Sequence, residues 1–237
     1  MPEYYARLNS ACPTNCEVRM KSKIWIVLLV AITVAFSSCK FNRGISGSGN
    51  RKTEKRELKS FNAIDTTGAY EIKVTCQKPA SFEIEADDNI LPLIKTEVRD
   101  GILFVSNDQQ YNSRKSPTLR ITLPELYSVS SHGAGDIQVA DANSTDLKIQ
   151  SAGAANIDAE GKAKSVSISS TGAGNIDTSK LTAEKAKVDA TGAANVDVFA
   201  SDQLDVKVSG VGSVTYSGNP KVVNKSVSGI GSVNPKN

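Results

Sequence analysis

The sequence predicts an all-β fold, a right-handed parallel β-helix (β-solenoid) with coils of about 19 residues. Two observations carry this expectation. The first is a short phrase that recurs between Tyr127 and Val233. It reads His132-Gly133-Ala134-Gly135-Asp136-Ile137, then Ala152-Gly153-Ala154-Ala155-Asn156-Ile157, then Thr171-Gly172-Ala173-Gly174-Asn175-Ile176. It continues as Thr191-Gly192-Ala193-Ala194-Asn195-Val196, Ser209-Gly210-Val211-Gly212-Ser213-Val214 and Ser228-Gly229-Ile230-Gly231-Ser232-Val233. The second is a set of apolar columns in step with the phrase. Ile137, Ile157, Ile176, Val196, Val214 and Val233 share one offset; Val129, Ile149, Ile168, Val188 and Val206 share another, which Lys225 interrupts.

Between the columns, apolar and polar residues alternate, as in Asp146-Leu147-Lys148-Ile149-Gln150 and Ser165-Val166-Ser167-Ile168-Ser169. Period two means strands with one buried face. A coil this small buries too little alone, whereas coils stacked roughly 4.8 Å apart bury a continuous column. Parallel crossovers strongly prefer the right hand. The alternative is an antiparallel β-sandwich, which also places strands every 8–12 residues or so.

Composition agrees with a thin core. Aromatic residues make up 5% of the chain and the single Trp, Trp25, precedes the repeats. Lys and Arg number 28 against 25 Asp and Glu, a formal net charge of +3. With no long basic stripe and no aromatic platform, a nucleic-acid partner is not expected.

The front end reads as a targeting segment over residues 20–39. Met20-Lys21-Ser22-Lys23 is a basic start, and Ile24 to Phe36 is an apolar run too short for a comfortable membrane span. Phe36-Ser37-Ser38-Cys39 resembles the loose lipobox of Bacteroidetes-type lipoproteins. That resemblance implies cleavage before Cys39, lipidation of Cys39 and attachment to a membrane. Residues 1–19, with Cys12 and Cys16, precede a natural start at Met20 and read as an upstream extension from a misassigned start. Residues 40–50, with the run Gly44-Ile45-Ser46-Gly47-Ser48-Gly49-Asn50, read as a flexible tether. Surface-exposed lipoproteins of this type often carry acidic residues after the lipidated Cys. Lys40-Phe41-Asn42-Arg43 has none, which favours an outer-membrane lipoprotein facing the periplasm.

Residues 51–237 read as a single domain, with the regular repeats over 127–237. Its first half holds most of the large apolar residues and is expected to be the thicker end of the solenoid, covering one edge. Thr67-Gly68-Ala69-Tyr70-Glu71-Ile72 is a diverged copy of the repeated phrase. Asp87-Asp88-Asn89 is positioned to cap a short helix over Ile90–Ile94. Arg99-Asp100-Gly101 is a hairpin turn. Cys76 ends an alternating strand as a small apolar filler.

Several of these features together resemble the head GIN domain family of auto-transporter adhesins. They are the lipobox, Gly47-Ser48-Gly49-Asn50, Phe61-Asn62-Ala63-Ile64, Ala86-Asp87-Asp88-Asn89-Ile90-Leu91-Pro92, the Gly-Ala-Gly-Asn-Ile repeats and Tyr216-Ser217-Gly218-Asn219-Pro220. The resemblance covers roughly residues 47–237 and implies a β-helical, exported, often lipidated protein with an adhesin-like binding role. It carries no catalytic residue set. Ala155 and Ala194 depart from it, standing where the phrase usually has its second glycine.

The residues offer little for catalysis, and no cofactor is expected. His132 is the only His and lies in the turn column. No Gly-x-Ser-x-Gly elbow, phosphate loop or paired-Cys metal spacing occurs after Cys39. The expected role is non-catalytic binding or scaffolding, with a glycan or protein ligand; the alternative is a polysaccharide-acting β-helix enzyme, a lyase or hydrolase. Two polar columns flank the inward Ile/Val column. Asp136, Asn156, Asn175 and Asn195 are expected to form an amide ladder that locks register. Asp158, Asp177 and Asp197 are weak candidates for a hard cation, and a simply solvated column is the reading favoured over it. Lys225 and Pro235 blunt the last coil, so a monomer is expected, with end-to-end polymerisation as the competing possibility.

Overall fold

The structure is a computed structural model and describes residues 44–236. Residues 1–19, the signal segment 20–39 and Cys39 lie outside the described residues. Almost everything else is strand. The strands are β1 (Ile45–Ser46), β2 (Arg51–Lys55), β3 (Ala63–Thr66), β4 (Ala69–Thr75), β5 (Ser81–Asp87), β6 (Ile94–Arg99), β7 (Ile102–Asn107), β8 (Tyr111–Asn112) and β9 (Thr118–Thr122). They continue as β10 (Ser128–Ser131), β11 (Ala134–Ser151), β12 (Ala154–Ser170), β13 (Ala173–Ala190), β14 (Ala193–Phe199), β15 (Gln203–Val208), β16 (Val211–Ser217), β17 (Val222–Val227) and β18 (Ile230–Pro235).

From β10 to β18 every pairing is parallel and joins equivalent residues of successive repeats. Ile137 pairs with Ile157, Ile157 with Ile176, Ile176 with Val196 and Val196 with Val214. Val129, Ile149, Ile168, Val188 and Val206 form the second column. These side chains are buried. The expected β-solenoid is the fold observed, and the sandwich is not. Along β11 the in-out alternation breaks at Ala140-Asp141 and again at Thr145-Asp146. The strand itself is interrupted by a bend at Ala152-Gly153, so each coil has three sides.

The third corner is why the phrase contains glycine. A Cβ on Gly153 would sit 1.8 Å from the carbonyl oxygen of Gly133, and one on Gly172 would sit 1.8 Å from that of Gly153. Backbone fills the space a side chain would need, and the approach lets Ala154 N–H donate to the Gly133 oxygen at 2.8 Å. Gly68 stacks beneath Gly133 in the same way, and Ala69 to Thr75 pairs with Ala134 to Ala140. The diverged phrase at 67–72 is therefore a true coil of the stack.

After that first coil the chain leaves the solenoid and returns only at Ser128. The excursion builds a cap. One sheet extends past β4 through β9 into antiparallel β5 and β2; the other extends past β3 through β7 into antiparallel β6. Phe61, Tyr70, Phe82, Leu103, Leu119 and Leu126 are buried at this end. Arg56 closes it, donating to the carbonyls of Ile94 and Leu91 at 2.8 and 3.2 Å. The Asp100-Gly101 turn has positive φ at both residues, 51° and 75°, as a tight hairpin between β6 and β7 requires. Cys76 lies just past β4 and is buried.

Two expectations need correction. Ile90–Ile94 is not a capped α-turn: only Leu91–Leu93 is helical, as a 3-10 turn, and its first residue has no side-chain cap. The reason is that the expected capping groups are engaged elsewhere. Asp88 accepts from Ser48 Oγ and from Asn50 Nδ2 at 2.5 and 2.8 Å, and Asn89 Nδ2 donates to the Ser46 carbonyl at 2.8 Å. For the same reason residues 44–50 are not free linker. They lie docked on the cap, with β1 parallel to β8.

Two predictions follow from these contacts. Gly172→Ala places a methyl against the Gly153 carbonyl and should cost about 2–4 kcal/mol in urea unfolding, whereas Ser167→Ala, on the outer face, should stay within about 0.5 kcal/mol. On the cap, hydrogen bonds from Arg120 and Arg51 hold the Glu85 carboxyl down at about 2. A carboxyl held below its unfolded value contributes stability above the unfolded range and loses it as pH falls through the folded value. Acid titration should therefore show a loss of stability between about pH 4.5 and about 2, and Glu85→Gln should flatten that limb.

Candidate functional site

The longest continuous outer face is that of the sheet ordered β2-β5-β9-β4-β11-β12-β13-β14-β16-β18. Because register is kept from coil to coil, its outer side chains fall into straight columns. One runs Asp136, Asn156, Asn175, Asn195, Ser213. It is a hydrogen-bonded ladder. Asn156 Nδ2 donates to Asp136 Oδ1 at 2.9 Å, Asn195 Nδ2 to Asn175 Oδ1 at 3.1 Å and Ser213 Oγ to Asn195 Oδ1 at 2.9 Å. The Asn175–Asn156 rung is longer, 3.5 Å, and is reinforced by Asn175 N–H to the same oxygen at 3.3 Å. Each amide donates one N–H and accepts through its oxygen within the column, leaving its second N–H turned to solvent.

The neighbouring column holds Asp158, Asp177 and Asp197 in direct register. Like charges opposite one another on a sheet repel. Asp177 is relieved locally: burial raises its carboxyl, but hydrogen bonds from Ser179, with Lys236 and Lys180 nearby, outweigh that and leave it below the usual carboxylate range. Among the described residues no group of three or more His, Cys, Asp or Glu side chains has the geometry to hold a metal ion. His132 stands at a corner, 3.5 Å from the Asp65 carboxylate and half exposed.

The sequence did not point to the groove beside the Asp column. An open cleft of about 330 Å³ runs past Gln138, Asp158, Glu160, Asp177 and Lys180. It forms where pairing slips, between Val139 and Ala142 and again between Asp158 and Glu160. The longer coil bulges at each slip, Ala140-Asp141 opposite Glu160 and Thr178-Ser179 opposite Ala159, and the pair Glu160 and Lys180 lies beside the carboxylates. The signal was present in the uneven spacing of the first glycines, Gly133, Gly153, Gly172, Gly192, Gly210 and Gly229.

Comparison with known families now has a structural frame. The family model described as "Putative auto-transporter adhesin, head GIN domain" matches residues 60–220. The chain belongs to the head GIN domain family. Among solved structures, this head GIN chain is similar to a "putative adhesin" from Bacteroides fragilis, with 27% identity, a TM-score of 0.68 and coverage of 81% of this chain and 100% of that one. A "putative adhesin" from Parabacteroides merdae shares the fold at 18% identity and TM-score 0.53, over 81% of this chain and 99% of that one. A "putative lipid binding protein" from Parabacteroides distasonis does so at 19% and 0.52, over the same shares of the two chains. No curated protein matches the head GIN chain.

The ladder generates a prediction. Asn175→Ala removes one rung on each side of a solvent-facing column, so unfolding free energy should fall by about 0.5–1.5 kcal/mol with the far-UV circular dichroism unchanged. A loss much larger than that would mean the amides carry the fold.

Proposed function

We propose that this chain is a lipid-anchored protein of the cell envelope with a non-catalytic, adhesin-like binding or scaffolding role. The observation that carries the reading is the outer face just described. It presents the same amide and carboxylate pair on three successive coils, Asn156 with Asp158, Asn175 with Asp177 and Asn195 with Asp197, roughly 4.8 Å apart. A repeated array suits a repeated ligand, since successive weak contacts add as one multivalent attachment. The ligand class is a glycan or an extended protein surface. Family membership and the adhesin names of the similar structures support a binding role.

In this reading translation starts at Met20, the segment to Ser38 is removed, and Cys39 carries the lipid. Acyl chains contribute about 0.8 kcal/mol for each buried methylene, so multiple acylation anchors firmly. The anchor holds a monomer at the outer membrane, facing the periplasm. The Asp158, Asp177 and Asp197 column serves recognition here and not as a built cation cage. A polysaccharide-acting enzyme is the competing reading, and the groove at Glu160 and Asp177 is where it would act.

Two measurements test the proposal. A fatty-acid analogue fed to cells should label the wild type and leave Cys39→Ala unlabelled; equal labelling removes the anchor. A glycan panel incubated with the purified protein should show retention without turnover, and retention should weaken in Asp158→Asn with Asp177→Asn. Release of cleaved product would replace the binding reading with the enzymatic one.

A further inference from the structure

The two ends of the solenoid are finished differently. At the cap, the edge strands carry alternating charge: Arg51, Lys52, Glu54 and Lys55 on β2, with Lys95 and Glu97 on β6. Charged edge strands resist pairing. At the other end, among the described residues, the last coil, β17 and β18, pairs on one side only.

Of these two terminal strands, β18 is blunted by its own chain. Lys236 N–H donates to the Tyr216 carbonyl at 2.7 Å, so alternate residues Gly231, Val233 and Pro235 turn their backbone groups away from the stack. Pro235 has no N–H to offer, and the Val233 carbonyl accepts Lys225 Nζ at 3.2 Å. The Lys225 ammonium also lies 4.7 Å from the centre of the Tyr216 ring. The inward column thus ends in a cation folded over the last coil.

On strand β17 the backbone edge is not occupied in this way, although Lys225 stands in its inward column between Val223 and Val227. Val222 N–H donates to the Asp202 carbonyl at 3.0 Å and Ser228 N–H to the Val208 carbonyl at 2.8 Å. By alternation, Val223, Lys225 and Val227 present N–H and C=O to the open side. β17 contains neither proline nor an acidic residue. Its surroundings are apolar, with Val222 and Val227 about half exposed and Ile230 83% exposed.

They are also cationic. From Val206 to Asn237 the chain has no Asp or Glu, but it has Lys207, Lys221, Lys225 and Lys236. The carboxylates facing them belong to lower coils: Asp202 pairs with Lys221 at 2.9 Å, Asp205 accepts from Asn224 at 2.7 Å, and Asp189 is level with Lys207. The final coil also lies beyond residue 220, where the family match ends.

We propose that β17 accepts an added β-strand from another protein, an extended segment with apolar side chains on one face and acidic side chains on the other. The apolar face would stack over Val223 and Val227, extending the core by one layer. The acidic face would lie toward Lys207 and Lys221. Backbone pairing gives such a contact its affinity, and the alternating side chains select the partner. A second copy of this chain fits poorly. It would bring either its own Lys221 and Lys225 or the basic β2 against the same cationic edge.

The test uses the full chain and a short capped, fluorescein-labelled peptide alternating valine and glutamate, with fluorescence anisotropy as readout. Binding should saturate, and it should fall at least about tenfold for a valine–lysine peptide and for Lys207→Glu with Lys221→Glu. Val223→Pro removes an outward N–H that makes no bond within the stack, and should abolish binding while circular dichroism stays that of the wild type. If that variant misfolds, N-methylation of alternate residues in the peptide supplies the same block without touching the protein, and should likewise abolish binding. Equal affinity for the two peptides, or unchanged binding of the N-methylated one, overturns the proposal. Self-association of the wild type that Val223→Pro removes would assign the edge to a second copy and overturn it equally.

Discussion

Everything in this molecule depends on how closely one coil can sit on the next. At the glycine corner the carbonyl of the lower coil occupies the place of the upper residue's missing side chain. That contact brings the coils to ladder spacing, and ladder spacing lets every apolar column close without large side chains. In the regular coils a core of Ile, Val, Leu and Ala suffices because no inward side chain has far to reach. The scarcity of aromatics is a consequence of the backbone approach.

The same register organises the surface. A column of amides hydrogen-bonds along the axis because each coil repeats the last without slipping, and a column of carboxylates stands beside it for the same reason. Where coil length changes by one residue, the register slips and the face opens into the groove lined by Glu160 and Lys180. Regularity makes the array, and its local failure makes a groove of mixed charge beside it.

Much of this was legible in the chain itself. The glycine and Ile/Val columns specify the coils, and Thr67–Ile72 could be recognised as a coil despite its divergence. The Asn column could be read as a ladder because its offset is constant. The cap was less legible. Its strands pair antiparallel across long separations, and no period announces which will meet. The docking of residues 44–50 is not legible because a Gly/Ser run is flexible by composition, and its partners, Asp88 and Asn89, equally suit a helix cap. The open edge at β17 required the structure, since sequence shows that Lys225 interrupts a column but not that its ammonium reaches the β18 carbonyl and leaves β17 bare.

The excursion between Thr75 and Ser128 also sets an order in time. Each regular coil closes on a neighbour about 19 residues away, whereas β3 and β4 pair only over longer separations, with β7 and β9 of the cap and with β10 and β11 on its far side. Short loops close before long ones, and repeat stacks propagate from wherever they begin. The regular coils therefore assemble first and offer a finished template, onto which the first coil and then the cap strands settle. The segment at 44–50 has nowhere to dock until β8 and the Asp88-Asn89 turn are in place, so the end through which the chain enters is the last to become solid.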